Sequence, residues 1–306
     1  MKFERIDGFT REIKIPKDLK AFFCIKKIVS RTSPDLIHLH STKAGILGRW
    51  AINCNKYKVI YSPHAYSFLM LNCSNCKRRI YREIERISGR KNCITITDIE
   101  SEYEVSKQVT DNAICIPNGI DLDEMDKIIE QARKQIKKYD KIVVCTLGKV
   151  VHQKNPDLFN EIARNFPDID FVWIGAGPLE YKLTSPNIIV TGWLNRVEAV
   201  AQIMSSNIFL FTSLWESLSI ALLEVMYIGK PCIVSNVDGN KDVICSQMNG
   251  YICDNKQDYI KTIKMLIDNK DITEVIVKRA RQNIIEKFNI CVMKKSYQEL
   301  YERIKL

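Results

Sequence analysis

Residues 211–235, FTSLWESLSIALLEVMYIGKPCIVS, carry two carboxylates, Glu216 and Glu224, in an otherwise apolar run. An acid in such surroundings must reach solvent or gain partners, because burying an unpaired carboxylate is costly. The segment parses as the end of an apolar strand (NIFLFTS, 207–213), a short LWES connection, a helix LSIALLEVMYI stopped by Gly229, and a second strand KPCIVS (230–235). In an open parallel sheet, ligands bind beyond the C-terminal ends of strands, where the next helix presents unpaired N–H groups. Glu216 stands at that rim, and the N–H groups of Ser217, Leu218 and Ser219 follow it, which suits a phosphate. Glu224 lies within the helix, at most about 12 Å further along at 1.5 Å per residue, the span of a diphosphate. One carboxylate is then placed to accept hydroxyl hydrogen bonds from a sugar, the other from a ribose. On the plainer alternative, Glu216 is a helix-start acid favoured by the dipole and Glu224 an exposed position.

Other strand ends carry similar groups. TLGKVVHQKNPDLF (146–159) runs from a strand through Gly148, Lys149 and Lys154 into a helix starting near Asn155–Pro156, and two lysines beside a glycine favour an anion. WIGAGPLE (173–180) offers Gly175 and Gly177 for a tight turn and close backbone approach. In DLIHLHSTKAGILGRWA, His38 and His40 share one face of a strand and Lys43 follows at the helix start, while YSPHAYSF ends another strand with His64, expected to face a cleft. His-x-His raises a zinc reading, but no matching carboxylate or third histidine is close in sequence. Cys73 and Cys76 in NCSNC have no second CxxC to complete four ligands. No metal is expected.

These groups need a scaffold. Ten short apolar runs (35–40, 58–63, 92–97, 113–118, 141–148, 170–175, 187–192, 207–213, 230–235 and 249–253) alternate with amphipathic helical patterns such as 41–54, 157–166 and 195–206. This βαβ alternation predicts an α/β fold with parallel sheets covered on both faces, arranged as two Rossmann-like domains. A charged helix at about 124–138 marks the boundary. The expected division is 1–123, 124–288 and a C-terminal helix, 289–306, returning toward the first domain. Segments 255–269, 271–287 and 289–304 read as closing helices.

The bulk numbers agree. At 306 residues, 46% hydrophobic and 27% charged, the chain suits two globular domains. No run reaches the roughly 18 apolar residues of a membrane span, and the start is too polar for a signal peptide, so a cytoplasmic protein is expected. The eleven scattered cysteines read as reduced, mostly buried small hydrophobes. The charge of +10 is uneven: residues 1–120 hold 21 Lys and Arg against 12 Asp and Glu, and the remainder holds 25 against 24. A basic first part points to an anionic partner. Its densest piece, CKRRIYREIERISGRK (76–91), reads as a basic amphipathic helix with Ile80, Ile84 and Ile87 on one stripe, either packed by that stripe or docked on an anionic membrane. The pattern of a nucleic-acid binder is missing, and no nucleic-acid partner is expected.

Across roughly residues 15 to 300, the motifs HLHSTKAGILGRWA, YSPHAYSF, IPNGID, LGKVVHQKNP, WIGAGP, VTGW and ESLSIALLE with GKPCIVSNVDGN resemble the GT-B glycosyltransferases of retaining family 4, which build polysaccharides, lipopolysaccharides and glycolipids from nucleotide-sugars. The resemblance implies that Glu216 contacts the transferred sugar, Glu224 binds the ribose hydroxyls, and the amides of Leu218 and Ser219 meet the diphosphate. Lys149, where the family usually has Arg, and Lys154 would neutralise the leaving diphosphate, with no metal ion required. His64 matches the acceptor-domain histidine near the donor sugar; His40 and Lys43 are acceptor-side candidates. The donor implied is a nucleotide-sugar, a UDP-sugar first, and the acceptor a lipid-linked or oligosaccharide one at the inner membrane face. The family places a strand, a glycine-rich loop and two further strands ahead of the segment matching PDLIHLHS. Only about 34 residues precede it here. The N-terminal domain is therefore expected to be incomplete by a stretch on the order of 70 residues that includes the glycine-rich loop. Donor binding is expected to survive better than transfer; the alternative is a non-catalytic GT-B protein that binds nucleotide-sugar or a partner transferase.

Overall fold

The computed structural model describes residues 3–6, 9–10, 13–69 and 73–305. The chain divides into two units, one built from residues up to Ile116 together with the chain from Leu300 onward, the other from Pro117–Glu299. Among the described residues no helix is long and apolar enough to cross a membrane.

The first unit holds α1 (Ile15–Thr32), β1 (Leu36–His40), α2 (Thr42–Ala51), β2 (Lys58–Ser62), α3 (Asn75–Gly89), β3 (Ile94–Thr97), α4 (Glu100–Ser106) and β4 (Ala113–Cys115). Its four strands are parallel in the order β1-β2-β3-β4, so their C-terminal ends form one rim. Leu39, Val59, Tyr61, Tyr66, Phe68, Cys93 and Val109 form the core. The sequence pattern gives no warning of α1. Its apolar positions are interspersed with lysines, and Ala21 is its one buried residue while Leu19 and Phe23 stay exposed.

Helix α3 does not pack by its isoleucine stripe, the first of the two readings of its sequence: Ile84 is half-buried. Its buried residues are Glu85 and Ser88, whereas Ile80 and Ile87 are exposed. The reason is Arg49 on α2, 1% exposed, whose guanidinium pairs with Glu85 at 2.6 Å while the Tyr61 hydroxyl donates to the same carboxylate at 2.9 Å. A buried cation needs a hydrogen-bonded counter-ion, and that need fixes the helix rotation over the preference of its isoleucines.

The second unit contains α5 (Leu122–Arg133), β5 (Val143–Leu147), α6 (Pro156–Ala163), β6 (Asp170–Ile174), β7 (Ile188–Val190), α7 (Arg196–Ser205), β8 (Ile208–Phe211), α8 (Ile220–Ile228), β9 (Cys232–Ser235), α9 (Asp238–Lys241), β10 (Tyr251–Cys253), α10 (Lys256–Asp268) and α11 (Lys270–Lys287), with α12 (Ile290–Lys305) beginning here. Helix α5 stops at Arg133, short of the expected 138, because the chain turns there and the Lys137 N–H is taken by the Ser205 hydroxyl. The six strands are parallel in the order β10-β9-β8-β5-β6-β7. Continuous apolar strands are what a sheet covered on both faces requires. Phe171, Trp173, Ile208, Leu210 and Ile233 meet Phe159 and Ile162 of α6 and Ile263 of α10 in one core. Strand order reverses between β8 and β5, which creates the crevice where α/β sheets bind ligands.

Candidate functional site

The loops that follow β5 and β8 meet at this switch point. After β5, Gly148 adopts φ +142, its N–H donates to Ile174 O at 2.9 Å, and its carbonyl accepts from the Trp173 indole at 2.8 Å. Two residues on, the Val150 N–H bonds to Ala176 O at 3.1 Å. A Cβ on Gly175 would lie 2.3 Å from Gly148 O, and one on Gly177 2.4 Å from Val150 O. The amides of Gly175 and Gly177 are also occupied, by the Thr191 hydroxyl and the Glu180 carboxylate. These glycines let two loop backbones close on each other; the requirement for them is met by the chain itself.

That closure carries the lysines. Lys149 is exposed, with no ion pair or hydrogen bond from its ammonium among the described residues. The loop then forms a short helical turn and Asn155, at φ +52, caps α6 by accepting from Leu158 N–H. Lys154, at the end of that turn, crosses to the other loop: its ammonium contacts Glu216 at 2.6 Å and lies 4.2 Å from the Phe211 ring centre. Thr212 fixes the Lys154 carbonyl at 2.8 Å. The two side chains are 17% and 8% exposed, so the pair is largely withdrawn from water.

After β8 the chain runs through Glu216 to Ser219, which caps α8 by accepting from Leu222 N–H. The helix therefore starts at Ile220, later than the sequence reading has it, and Ser217 and Leu218 precede the cap. Among the described residues no backbone acceptor or side chain receives the N–H groups of Ser217, Leu218 or Ser219. The Ser217 hydroxyl is likewise buried without a partner. Buried polar groups are normally satisfied; a run of undonated amides following Glu216, which holds Lys154, is the polarity an anion would meet. Within α8, Glu224 is 14% exposed and accepts at 2.7 Å from Arg196, whose other terminal nitrogen reaches Glu124 at 2.5 Å. Arg196 and Glu124 are absent from the sequence reading: they lie far apart in the chain and only the fold shows that they meet Glu224.

In the first unit, three neighbouring strand ends hold a chain of titratable groups. His40, ending β1, is 2.9 Å from His64 Nε2 through its Nδ1, and His64 Nδ1 is 2.7 Å from Asp98, which follows β3. His38 bonds the Ser62 hydroxyl at 2.9 Å. The hydrogen bond to Asp98 raises the His64 pKa, whereas burial, with the neighbouring imidazoles, lowers His40 and takes His38 down to about 4. Glu102 accepts from Tyr66 N–H, and burial beside Asp98 lifts its carboxyl to about 7. His64 and Ala65 both have positive φ, +50 and +80, a strained turn held by these bonds. Lys43 faces elsewhere: its ammonium pairs with Asp18 of α1 at 2.6 Å and donates to Thr10 O at 2.7 Å. Asp98 and Glu102 carried no sequence signal beyond their place after a strand. Among the described residues no group of three or more His, Cys, Asp or Glu is arranged to hold a metal ion. Cys73 and Cys76 are not disulfide-bonded.

Comparison with known proteins bears on both units. Residues 127–283 match the family described as glycosyl transferases group 1, and residues 6–124 match glycosyltransferase family 4. The chain is 27% identical to the UDP-Gal:alpha-D-GlcNAc-diphosphoundecaprenol alpha-1,3-galactosyltransferase of Escherichia coli, covering 95% of this chain and 81% of that protein. It is 21% identical to the N,N'-diacetylbacillosaminyl-diphospho-undecaprenol alpha-1,3-N-acetylgalactosaminyltransferase of Campylobacter jejuni, covering 94% and 81%. Among solved structures, sucrose-phosphate synthase of Thermosynechococcus elongatus superposes with a TM-score of 0.82 at 17% identity, covering 97% of this chain and 80% of that one. Anabaena HepE in complex with UDP-glucose gives 0.77 at 16%, covering 94% and 82%.

Proposed function

The chain belongs to the glycosyl transferases of group 1, and from that premise we propose that it moves a sugar, with retention of configuration, from a UDP-sugar to a lipid-linked acceptor. The observation that carries the donor half is the row of undonated amides at Ser217, Leu218 and Ser219 beside the Lys154–Glu216 pair. A diphosphate fits that row, with Lys149 and Lys154 supplying two positive charges. Glu216 accepts a hydroxyl hydrogen bond from the transferred sugar while holding Lys154, and Glu224 takes the ribose. Gly148, Gly175 and Gly177 act by seating the lysine loop.

In the reaction the bond from the anomeric carbon to the diphosphate breaks, with its electron pair passing to the phosphate oxygen. The acceptor oxygen bonds to the same face of that carbon, and its proton leaves for the phosphate. Negative charge builds on the diphosphate in the transition state, so fixed cations and amides lower the barrier there. His64, oriented by Asp98, and His40 are assigned to the acceptor side. The UDP-sugar and the diphosphoundecaprenol-linked acceptor are inferred from the named E. coli and C. jejuni relatives. A peripheral position on an anionic membrane surface follows from such an acceptor and from the outward isoleucines and cations of α3.

The test is to titrate the purified protein with a panel of UDP- and GDP-sugars, then assay transfer to diphosphoundecaprenol-linked sugars. Binding of a UDP-sugar that is weakened by Glu224→Ala, with transfer to one acceptor, is expected. If no nucleotide-sugar binds, the assignment of this site is wrong.

A further inference from the structure

The Glu224 carboxylate is shared between two duties. One oxygen, Oε1, accepts from Arg196 Nη2 at 2.7 Å, and no hydrogen bond to Oε2 is made among the described residues. Arg196 is held in turn. It is the first residue of α7, behind a capping box in which Asn195 and Glu198 bond each other's backbone N–H groups at 3.0 Å. Its Nη1 reaches Glu124 on α5 at 2.5 Å, so one guanidinium ties the starts of two helices to the middle of a third. We propose that Arg196 is a positioning residue for nucleotide binding: it fixes the Glu224 carboxylate by one oxygen and leaves the other aimed at the ribose hydroxyls, with Glu124 setting the orientation of the guanidinium. This rests on Glu224 being the ribose contact.

Three physical points support the assignment. A planar guanidinium with two parallel donors fixes direction as well as charge, which a lysine at the same place would not. The pair contributes little to stability, because Arg196 and Glu124 are 46% and 55% exposed and such pairs are screened by water. The Glu124 arm therefore adds little to folding, while the other arm immobilises a largely buried acid, a duty that binding accounts for. Arg196 also offsets the repulsion between Glu124 and Glu224, which it holds on neighbouring nitrogens.

The experiment compares UDP with its 2',3'-dideoxy analogue by calorimetry, for the wild-type chain and for Arg196→Ala, Arg196→Lys, Glu124→Gln and Glu224→Gln, each checked for an unchanged melting temperature. The wild type should bind UDP more tightly than the dideoxy analogue, and Glu224→Gln should erase that preference. Arg196→Ala should weaken UDP roughly 10-fold, the worth of one charge-assisted hydrogen bond, while the analogue changes less than about 2-fold. Arg196→Lys should recover only part of the preference, and Glu124→Gln should lower it slightly. If Arg196→Ala weakens both ligands alike, or neither, while Glu224→Gln still erases the preference, the positioning role falls and the ribose assignment stands. If the wild type shows no preference, or Glu224→Gln leaves it intact, the ribose assignment falls and the positioning role with it.

Discussion

The Lys154–Glu216 pair shows why single residues here resist reading in isolation. A lysine paired at 2.6 Å and mostly shielded from water resembles a structural ion pair, yet it sits beside three amides with no acceptor. Removing a preformed donor to developing phosphate charge costs about 100- to 1,000-fold in kcat. Lys154→Ala should lose about that much in transfer rate while UDP binding falls less, because the stabilisation is greatest in the transition state; equal losses in both would make Lys154 a ground-state binder only. The placement of the carboxylates and lysines at strand ends was legible because apolar strands announce where they end. Asp98, Glu102 and Arg196 were not, because their importance lies in partners distant in the chain. Glu102 provides a second test. Its carboxyl is raised from 4.5 to about 7 by burial, so the folded state holds the proton more tightly than the unfolded one. Stability from that source is complete below about pH 4.5 and is lost as pH rises through about 7. Glu102→Gln carries no such loss. Its stability relative to wild type should improve by on the order of 3 kcal/mol between pH 4.5 and 7, and then level off. A difference between the two denaturation midpoints that stays flat over this range would remove the buried-acid account.

At the scale of elements, the loop after β5 and the loop after β6 are one construction. Their backbones approach so closely that a methyl group on Gly175 would meet Gly148 O at 2.3 Å, at a φ of +133 that L-residues avoid. Gly192, after β7, also has positive φ, +72, but its Cβ direction is open to 4 Å. The two positions separate conformational strain from collision. Gly192→Ala should cost about 1 kcal/mol from φ alone. Gly175→Ala should cost several times more, roughly 3 kcal/mol or above, and should also weaken UDP binding because the lysine loop is displaced. Urea midpoints for the two variants decide this, and equal losses would mean the loops yield easily. Sequence showed glycines at strand ends but not what they faced, since a chain segment and a ligand demand the same absence of a side chain. All ten expected strands occur, because apolar β-branched runs in a covered parallel sheet leave little ambiguity. Helix α3 was placed but not oriented. Its isoleucine stripe is the dominant local signal, and the buried Arg49–Glu85 pair, formed across 36 positions of sequence, overrides it.

For the molecule as a whole, the uneven charge and the rotation of α3 lead to one expectation. Of the net +10, residues 1–120 carry nine, and α3 exposes Lys77, Arg79, Arg82 and Arg86 together with Ile80 and Ile87. Apolar side chains that face outward beside cations can enter the acyl boundary while the cations remain at anionic headgroups, each cation near the surface being worth about 1 kcal/mol. A basic face whose exposed isoleucines stay in water would bind such a surface by charge alone. The two accounts differ in their response to replacement of Ile80 and Ile87. On vesicles containing phosphatidylglycerol, sedimentation should show binding that weakens as salt is raised, because the exposed charges are screened. Replacing Ile80 and Ile87 together by Ser should then lower affinity roughly 10-fold or more at constant charge, by the transfer free energy of two aliphatic side chains. UDP affinity in the same double variant should stay at the wild-type value, since the donor loops lie in the other unit. Wild-type affinity for vesicles in the double variant would mean that the isoleucines stay out of the bilayer and that α3 contributes only charge.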